Sequence, residues 1–250
     1  MKNNNSTFLQ RLWKKILNIF LPKVCLSCGK DLDALQEDPL CLHCKTGLEY
    51  LQKPYCERCG MPLEFSRGYC YDCEGKEHSL AYARSALVYN ETLRPMLHAF
   101  KYSGRNDLAG FLANEMAKAY DYFPEIKDHD FLMPVPLHKK RFHVRGYNQA
   151  ELLARELARI KGFSVITGAV ERAVSTPTQT KLNREERQKN VHGAFNVIRP
   201  ELVKGNKILL IDDVATTLST LDELAETLKQ AGAESVCAYT LAREPLSLFN

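Results

Sequence analysis

Two sets of residues in this 250-residue chain have the types and spacing to do chemistry. The first is Cys25/Cys28, Cys41/Cys44, Cys56/Cys59 and Cys70/Cys73, each pair a C-x-x-C. Tetrahedral zinc takes four thiolates, and two such turns brought together supply them. The natural pairing joins Cys25/Cys28 to Cys41/Cys44 and Cys56/Cys59 to Cys70/Cys73. An interleaved pairing stays open. Two zinc ions are expected under the two-ribbon reading, and a disulfide framework is disfavoured without a secretion signal. The second set is KILLIDDVATTLST, residues 207–220. Its apolar run from Ile208 to Ile211 suits a buried parallel strand, which Asp212 and Asp213 are expected to end. Thr216, Thr217, Ser219 and Thr220 follow, and then a helical pattern. A strand, a hydroxyl-rich loop and a helix N-terminus make a phosphate cradle. The adjacent acids suit ribose hydroxyls or magnesium, which prefers hard oxygen ligands.

Something must hold these groups in place. Gly29 and Gly60 each follow the second cysteine of a pair, where a tight knuckle needs positive φ. The repeat predicts two tandem ribbons over residues 23–78, folded chiefly by metal because large apolar residues are few. His43 and His78 are expected to be bystanders. Before the ribbons, FLQRLWKKILNIF (Phe8–Phe20) has apolar residues at helical spacing and a basic opposite side. It predicts an amphipathic helix within residues 1–22, docked on the chain's own domains in preference to a membrane surface. Residues 79–250 alternate strands and helices, as a parallel sheet requires. Strands are expected at 81–89, 131–135 and 235–241, and helices at 92–100, 106–120, 149–160 and 221–230. Cys237, alone in an apolar strand, reads as a core residue.

Between the 131–135 strand and the 149–160 helix lies LHKKRFHVRGYNQA. Lys139, Lys140, Arg141 and Arg145 have no acid among them, and Phe142 and Tyr147 interleave. Such a basic loop suits pyrophosphate or a nucleic-acid backbone with bases stacked on rings. At a strand C-terminus of an α/β sheet it sits where ligands bind. Residues 172–199 show little apolar periodicity and carry Arg172, Gln179, Arg184 and Arg187, a segment expected to be functional. Net charge is only +4. No apolar run reaches the length of a membrane span and no signal peptide is evident, so a cytoplasmic chain is expected.

The 207–220 stretch resembles the phosphoribosyl-pyrophosphate (PRPP) motif of type I phosphoribosyltransferases. It departs at Leu218, where that pattern has glycine. With the cysteine region, the P-V-P-L strand end, R-G-Y-N-Q-A and D-D-V-x-T-T, nearly the whole chain resembles the ComF family of natural transformation and DNA utilisation. The resemblance implies an α/β fold: a small N-terminal zinc-ribbon module with four cysteines per metal, then a type I phosphoribosyltransferase-like domain with a mainly parallel sheet. It also implies handling of incoming single-stranded DNA in the cytosol or at the inner membrane face, with an import helicase or the DNA-import machinery as partner. In such a domain Asp212 and Asp213 meet ribose hydroxyls, with magnesium where PRPP is bound, and Thr216, Thr217, Ser219 and Thr220 hold a 5′-phosphate. Lys139, Lys140, Arg141, Arg145, Asn148, Gln149, Gln179, Arg184 and Arg187 face pyrophosphate or DNA. Leu218 tilts the reading towards binding without turnover. PRPP-dependent transfer to a nitrogenous base is the alternative.

Overall fold

A computed structural model describes residues 22–174 and 193–245. The expected helix at Phe8–Phe20, and Gln179, Arg184 and Arg187, lie outside the described residues.

The sheet is built from β1 (Ala83–Val88), β2 (Phe131–Pro134), β3 (Ser164–Val165), β6 (Lys207–Ala215) and β7 (Ser235–Arg243), in the order β1-β7-β6-β2-β3. All neighbours run parallel. A separate antiparallel pair joins β4 (Val170–Arg172) to β5 (Phe195–Val197). The helices are α1 (Leu42–Thr46), α2 (Arg94–Tyr102), α3 (Leu108–Tyr120), α4 (Lys139–Arg145), α5 (Gln149–Lys161) and α6 (Ser219–Gln230).

Both faces of the sheet are covered, and alternation along β6 assigns them. Leu209 and Ile211 join a core with Leu112 and Met116 of α3 and Leu153 and Leu157 of α5. Ile208 and Leu210 join a second core with Leu224 and Leu228 of α6. This two-sided burial explains the uninterrupted apolar run, since a half-exposed strand would alternate.

The cysteine region divides between the two cores. Cys25 and Cys44 lie in the α3/α5 core, whereas Cys56, Cys59, Cys70 and Cys73 lie in the α6 core. The two ribbons repeat one design. Gly29 and Gly60 have φ of +72° and +64° and donate back to Cys25 and Cys56, both at 2.9 Å. Gly60 is needed twice over, because a Cβ there would come within 2.8 Å of the Ala83 carbonyl.

The sheet order matters for function. From β2 the chain moves out to β3, then returns to β6 on the other flank of β2. Ligands of such sheets bind beyond the strand C-termini at this reversal. Pro134 of β2 lies opposite Ile211 of β6, so both exits open into one crevice.

Two expectations are corrected. Asp212 and Asp213 do not end their strand: Asp212 pairs with Thr240, and the ladder runs on to Ala215 opposite Arg243. The basic segment after β2 is no loop either. His138 caps α4 by accepting from the Lys140 amide, and Gly146 closes it at φ +80°.

Candidate anion site

The crevice at the β2/β6 exits is a cleft of about 430 Å³. Its floor is the end of β6 with the following turn, Asp212 to Thr217. One wall is α4 and the start of α5, and the far side carries Lys101, Tyr102 and Arg172.

The floor is a pair of unlike carboxylates. Asp213 is buried and forms an ion pair with Lys101 at 3.0 Å. Asp212 accepts a hydrogen bond from the Asp213 amide at 2.8 Å. Burial, and then the charge of Asp213, push its carboxyl up to about 7. An acid held this high gains from a diol, a cation or a proton of its own.

Beyond the acids the chain turns sharply into α6. Leu218 has φ +62°, the one non-glycine residue with positive φ among the described residues. It therefore adopts the left-handed conformation that glycine takes most easily. Its side chain is buried in the α6 core. It offers α6 no side-chain cap. The Thr217 and Ser219 hydroxyls lie 2.9 Å apart, and Thr216, Thr217, Ser219 and Thr220 all line the cleft. Uncapped amides, hydroxyls and the helix dipole are the parts of an anion site.

Helical periodicity sorts the basic residues of α4. Arg141 and Arg145, four apart, line this cleft. Lys139 and Phe142 border a smaller neighbouring cavity of about 210 Å³. Lys140 is exposed and borders neither. Arg145 lies over the Tyr102 ring with its guanidinium 5.0 Å from the centroid, and donates to Gln149 Oε1 at 3.0 Å. Burial and the charge of Arg145 lower the Arg141 pKa, so an arriving anion would be favoured there. Asn148 and Gln149 line the cleft, but both side chains also serve the scaffold. Asn148 caps α5 and donates to the Val135 carbonyl at 3.0 Å, and Gln149 is the acceptor that steadies Arg145.

Three residues at the cleft escaped the sequence reading. Glu244, which lines it, was not singled out, and neither was Tyr89. Arg243, behind the floor, was also missed. Its only signal was a charge closing an otherwise apolar strand. The turn at 101–105 reads from sequence equally as a candidate active face (Lys101, Tyr102, Arg105) and as a solvated turn; Lys101 and Tyr102 line the cleft, whereas Arg105 pairs with Asp107 at 2.8 Å. Four cations (Lys101, Arg141, Arg145 and Arg172) thus face three carboxylates (Asp212, Asp213 and Glu244).

The cysteines gather as two separate sets. In Cys25/Cys28/Cys41/Cys44 and in Cys56/Cys59/Cys70/Cys73 the sulfurs lie within 4.8 Å of one another. A tetrahedral zinc thiolate places sulfurs about 3.8 Å apart. The separations of 3.8 Å for Cys28–Cys41 and 3.6 Å for Cys59–Cys70 fit that geometry. Sequential pairing is therefore the arrangement present, and His43 and His78 belong to neither set. Cys237 is buried in the core.

Two family models match parts of the chain. A double zinc ribbon domain model matches residues 16–74, and a phosphoribosyl transferase domain model matches residues 144–248. Among solved structures, glutamine PRPP amidotransferase from B. subtilis superposes with a TM-score of 0.34 at 16% identity, over 56% of this chain and 26% of that one. Curated relatives span nearly the full length. Competence protein F of Haemophilus influenzae is 29% identical over 225 residues, covering 88% of this chain and 96% of its own. Competence protein ComFC of Streptococcus pneumoniae is 29% identical over 236 residues, covering 88% and 99%. DNA utilization protein YhgH of Escherichia coli K12 is 30% identical over 226 residues, covering 89% and 98%. Matched along both the ribbons and the sheet, the chain belongs to the ComF family of competence and DNA-utilisation proteins.

Proposed function

We propose that the cleft binds PRPP or a nucleotide 5′-phosphate, and that the protein uses this site in handling single-stranded DNA during DNA uptake, in the cytoplasm. The observation that carries the reading is convergence. The acid pair, the hydroxyl turn at the α6 N-terminus and the cations Arg141 and Arg145 come from three separate segments and line one cavity. Its volume of about 430 Å³ suits a single small phosphate-bearing ligand more than a stretch of polymer. In this reading the hydroxyls and first-turn amides of α6 hold the 5′-phosphate, Asp212 and Asp213 meet the ribose diol or magnesium, and Arg141 and Arg145 face the diphosphate. The relatives' names, competence protein and DNA utilization protein, support the DNA context. Lys139, paired with Glu171 at 3.6 Å on the surface, and the exposed Lys140 do not line the cleft, and in this reading they meet a DNA backbone outside it. A DNA-import helicase is the fitting class of partner.

Turnover is a second reading, favoured by one observation. Leu218 keeps the backbone geometry of a glycine, so the loop is not closed by the substitution. Titration of PRPP with and without magnesium, in parallel with a single-stranded oligonucleotide, tests both. The expected result is PRPP binding that Asp213→Asn abolishes while oligonucleotide binding survives. No heat from PRPP with folded protein would reject the cleft reading. Release of pyrophosphate in the presence of a purine or pyrimidine base would establish transfer.

A further inference from the structure

The buried Arg243, which ends β7, joins the second cysteine cluster to the anion turn. Its Nε donates to the Cys59 carbonyl at 3.0 Å, and its Nη2 approaches Cys59 Sγ at 3.7 Å. From the same guanidinium, Nη1 donates to the Ala215 carbonyl at 2.8 Å, to the Glu244 carbonyl at 3.2 Å and to the Thr216 carbonyl. We propose that Arg243 is a positioning residue through which metal occupancy of Cys56/Cys59/Cys70/Cys73 sets the order of the anion turn at residues 215–218.

The physical case has three parts. First, zinc with four thiolates carries two net negative charges, and this set is buried throughout. A buried dianion needs a fixed cation, and the Arg243 guanidinium stands beside it with a planar fork of donors. Second, peptide planarity turns carbonyl contacts into amide orientation. The Ala215 carbonyl shares its plane with the Thr216 amide, and the Thr216 carbonyl with that of Thr217, each N–H directed oppositely to its C=O. Holding both carbonyls on Arg243 aims both amides away from it. Third, α6 is tied to the end of the same ribbon. Asp222 in its first turn accepts from the Leu80 amide at 2.8 Å and lies 3.4 Å from His78 Nδ1.

The first cluster is placed differently. Its Cys28 is exposed, and Cys25 and Cys44 pack into the core on the opposite face of the sheet. The two metals therefore have separate consequences, and it is the second that Arg243 joins to the turn at 215–218. Because coupling between sites is reciprocal, an anion on the turn also steadies the second metal. That last consequence rests on the cleft being an anion site; the ordering role of Arg243 does not.

Backbone 15N relaxation on the full-length, zinc-loaded protein tests the proposal. Arg243→Lys and Arg243→Met are expected to lower the order parameters at 215–218 from the rigid level of about 0.85 to below about 0.6, with the interior of β2 unchanged, and to speed transfer of one zinc of two to a chromogenic chelator. Cys28→Ser, which opens the first cluster, is expected to leave 215–218 unchanged. Wild-type order parameters in the folded Arg243 variants overturn the proposal, as does an equal response to Cys28→Ser. If neither Arg243 variant folds, chelation of wild-type protein decides: order at 215–218 must fall with loss of the second cluster's zinc, and a turn that stays ordered overturns the proposal. Pyrophosphate separates the two readings. Binding to wild type without slowing either zinc's release overturns the coupling. No binding to wild type overturns the anion-cleft reading and leaves the relaxation result to judge Arg243.

Discussion

Asp212 and Asp213 are sequence neighbours with different partners. Lys101 neutralises Asp213, while Asp212 is raised to about 7 by burial and by the Asp213 charge. The sign of the consequence follows. A carboxyl raised above its ordinary range ionises at the expense of the folded state, so its penalty is absent below pH ~4 and complete above pH ~7. Asp212→Asn should therefore raise the melting temperature at pH 8 by a few degrees and leave it unchanged near pH 4. The same proton controls charge in the cleft. Metal-free pyrophosphate, which loses a proton of its own over this range, should bind Asp212→Asn about tenfold tighter than wild type at pH 8 and about equally at pH 6, following the protonated fraction of a group titrating near 7. Isothermal titration of both proteins at the two pH values reads the difference. Leu218 poses a related balance. Its left-handed backbone costs ~1 kcal/mol, while its buried side chain stabilises by ~2–3 kcal/mol. Leu218→Gly should accordingly lose ~1–2 kcal/mol in denaturant unfolding and, with a barer turn, bind PRPP more tightly.

At the scale of elements, α4 shows what the sequence could and could not reveal. No residue of Lys139–Arg145 is buried, so no apolar period marks a helix. Its caps were legible, with His138 before it and Gly146 after it, but the basic run read as a loop. The cost was functional as well, because only helical spacing divides Arg141 and Arg145 from Lys139 and Lys140. The strand at residues 207–215 was the opposite case. Four consecutive apolar residues identified it, but its extension through Asp212 and Asp213 depends on pairing with Thr240 and Arg243, a contact between distant segments. The ribbons were the most legible part, since metal chemistry fixes both residue type and spacing. From the helical sorting, Arg141→Ala or Arg145→Ala should weaken pyrophosphate binding about tenfold, the worth of one charge-assisted contact of ~1.5 kcal/mol. Lys139→Ala with Lys140→Ala should leave it intact and instead reduce the salt dependence of single-stranded DNA binding by about one phosphate contact per lysine. Loss of pyrophosphate binding in the double lysine variant would move the anion site out of the cleft.

Across the whole molecule, the cysteine region is joined to the sheet along one of its two edges. β1 is an edge strand, and an uncovered edge offers free backbone groups to any other chain. The ribbons cover it. The Leu51 amide donates to the Ala86 carbonyl at 3.0 Å, the Val88 amide donates to the Glu49 carbonyl at 2.8 Å, and Tyr50 bridges to Leu87. Beneath this seam the Tyr50 hydroxyl donates to the buried Glu115, which also holds Lys118 at 2.6 Å. Leu40, Leu48 and Leu51 share one core with Met96, Phe100 and Leu112. From sequence the ribbons are expected to be folded chiefly by metal because their large apolar residues are few; the structure shows those residues packed into the neighbour's core. Two outcomes are expected. Tyr50→Phe should cost ~1–3 kcal/mol, since it removes a donor from a buried carboxylate. A chain cut to residues 79–250 should aggregate on expression, with β1 and the α2/α3 face uncovered together, whereas the intact chain should unfold in one transition that zinc chelation moves to lower temperature. Recovery of the fragment as a monomer with the full protein's melting temperature would show that the seam contributes nothing to the stability of the sheet.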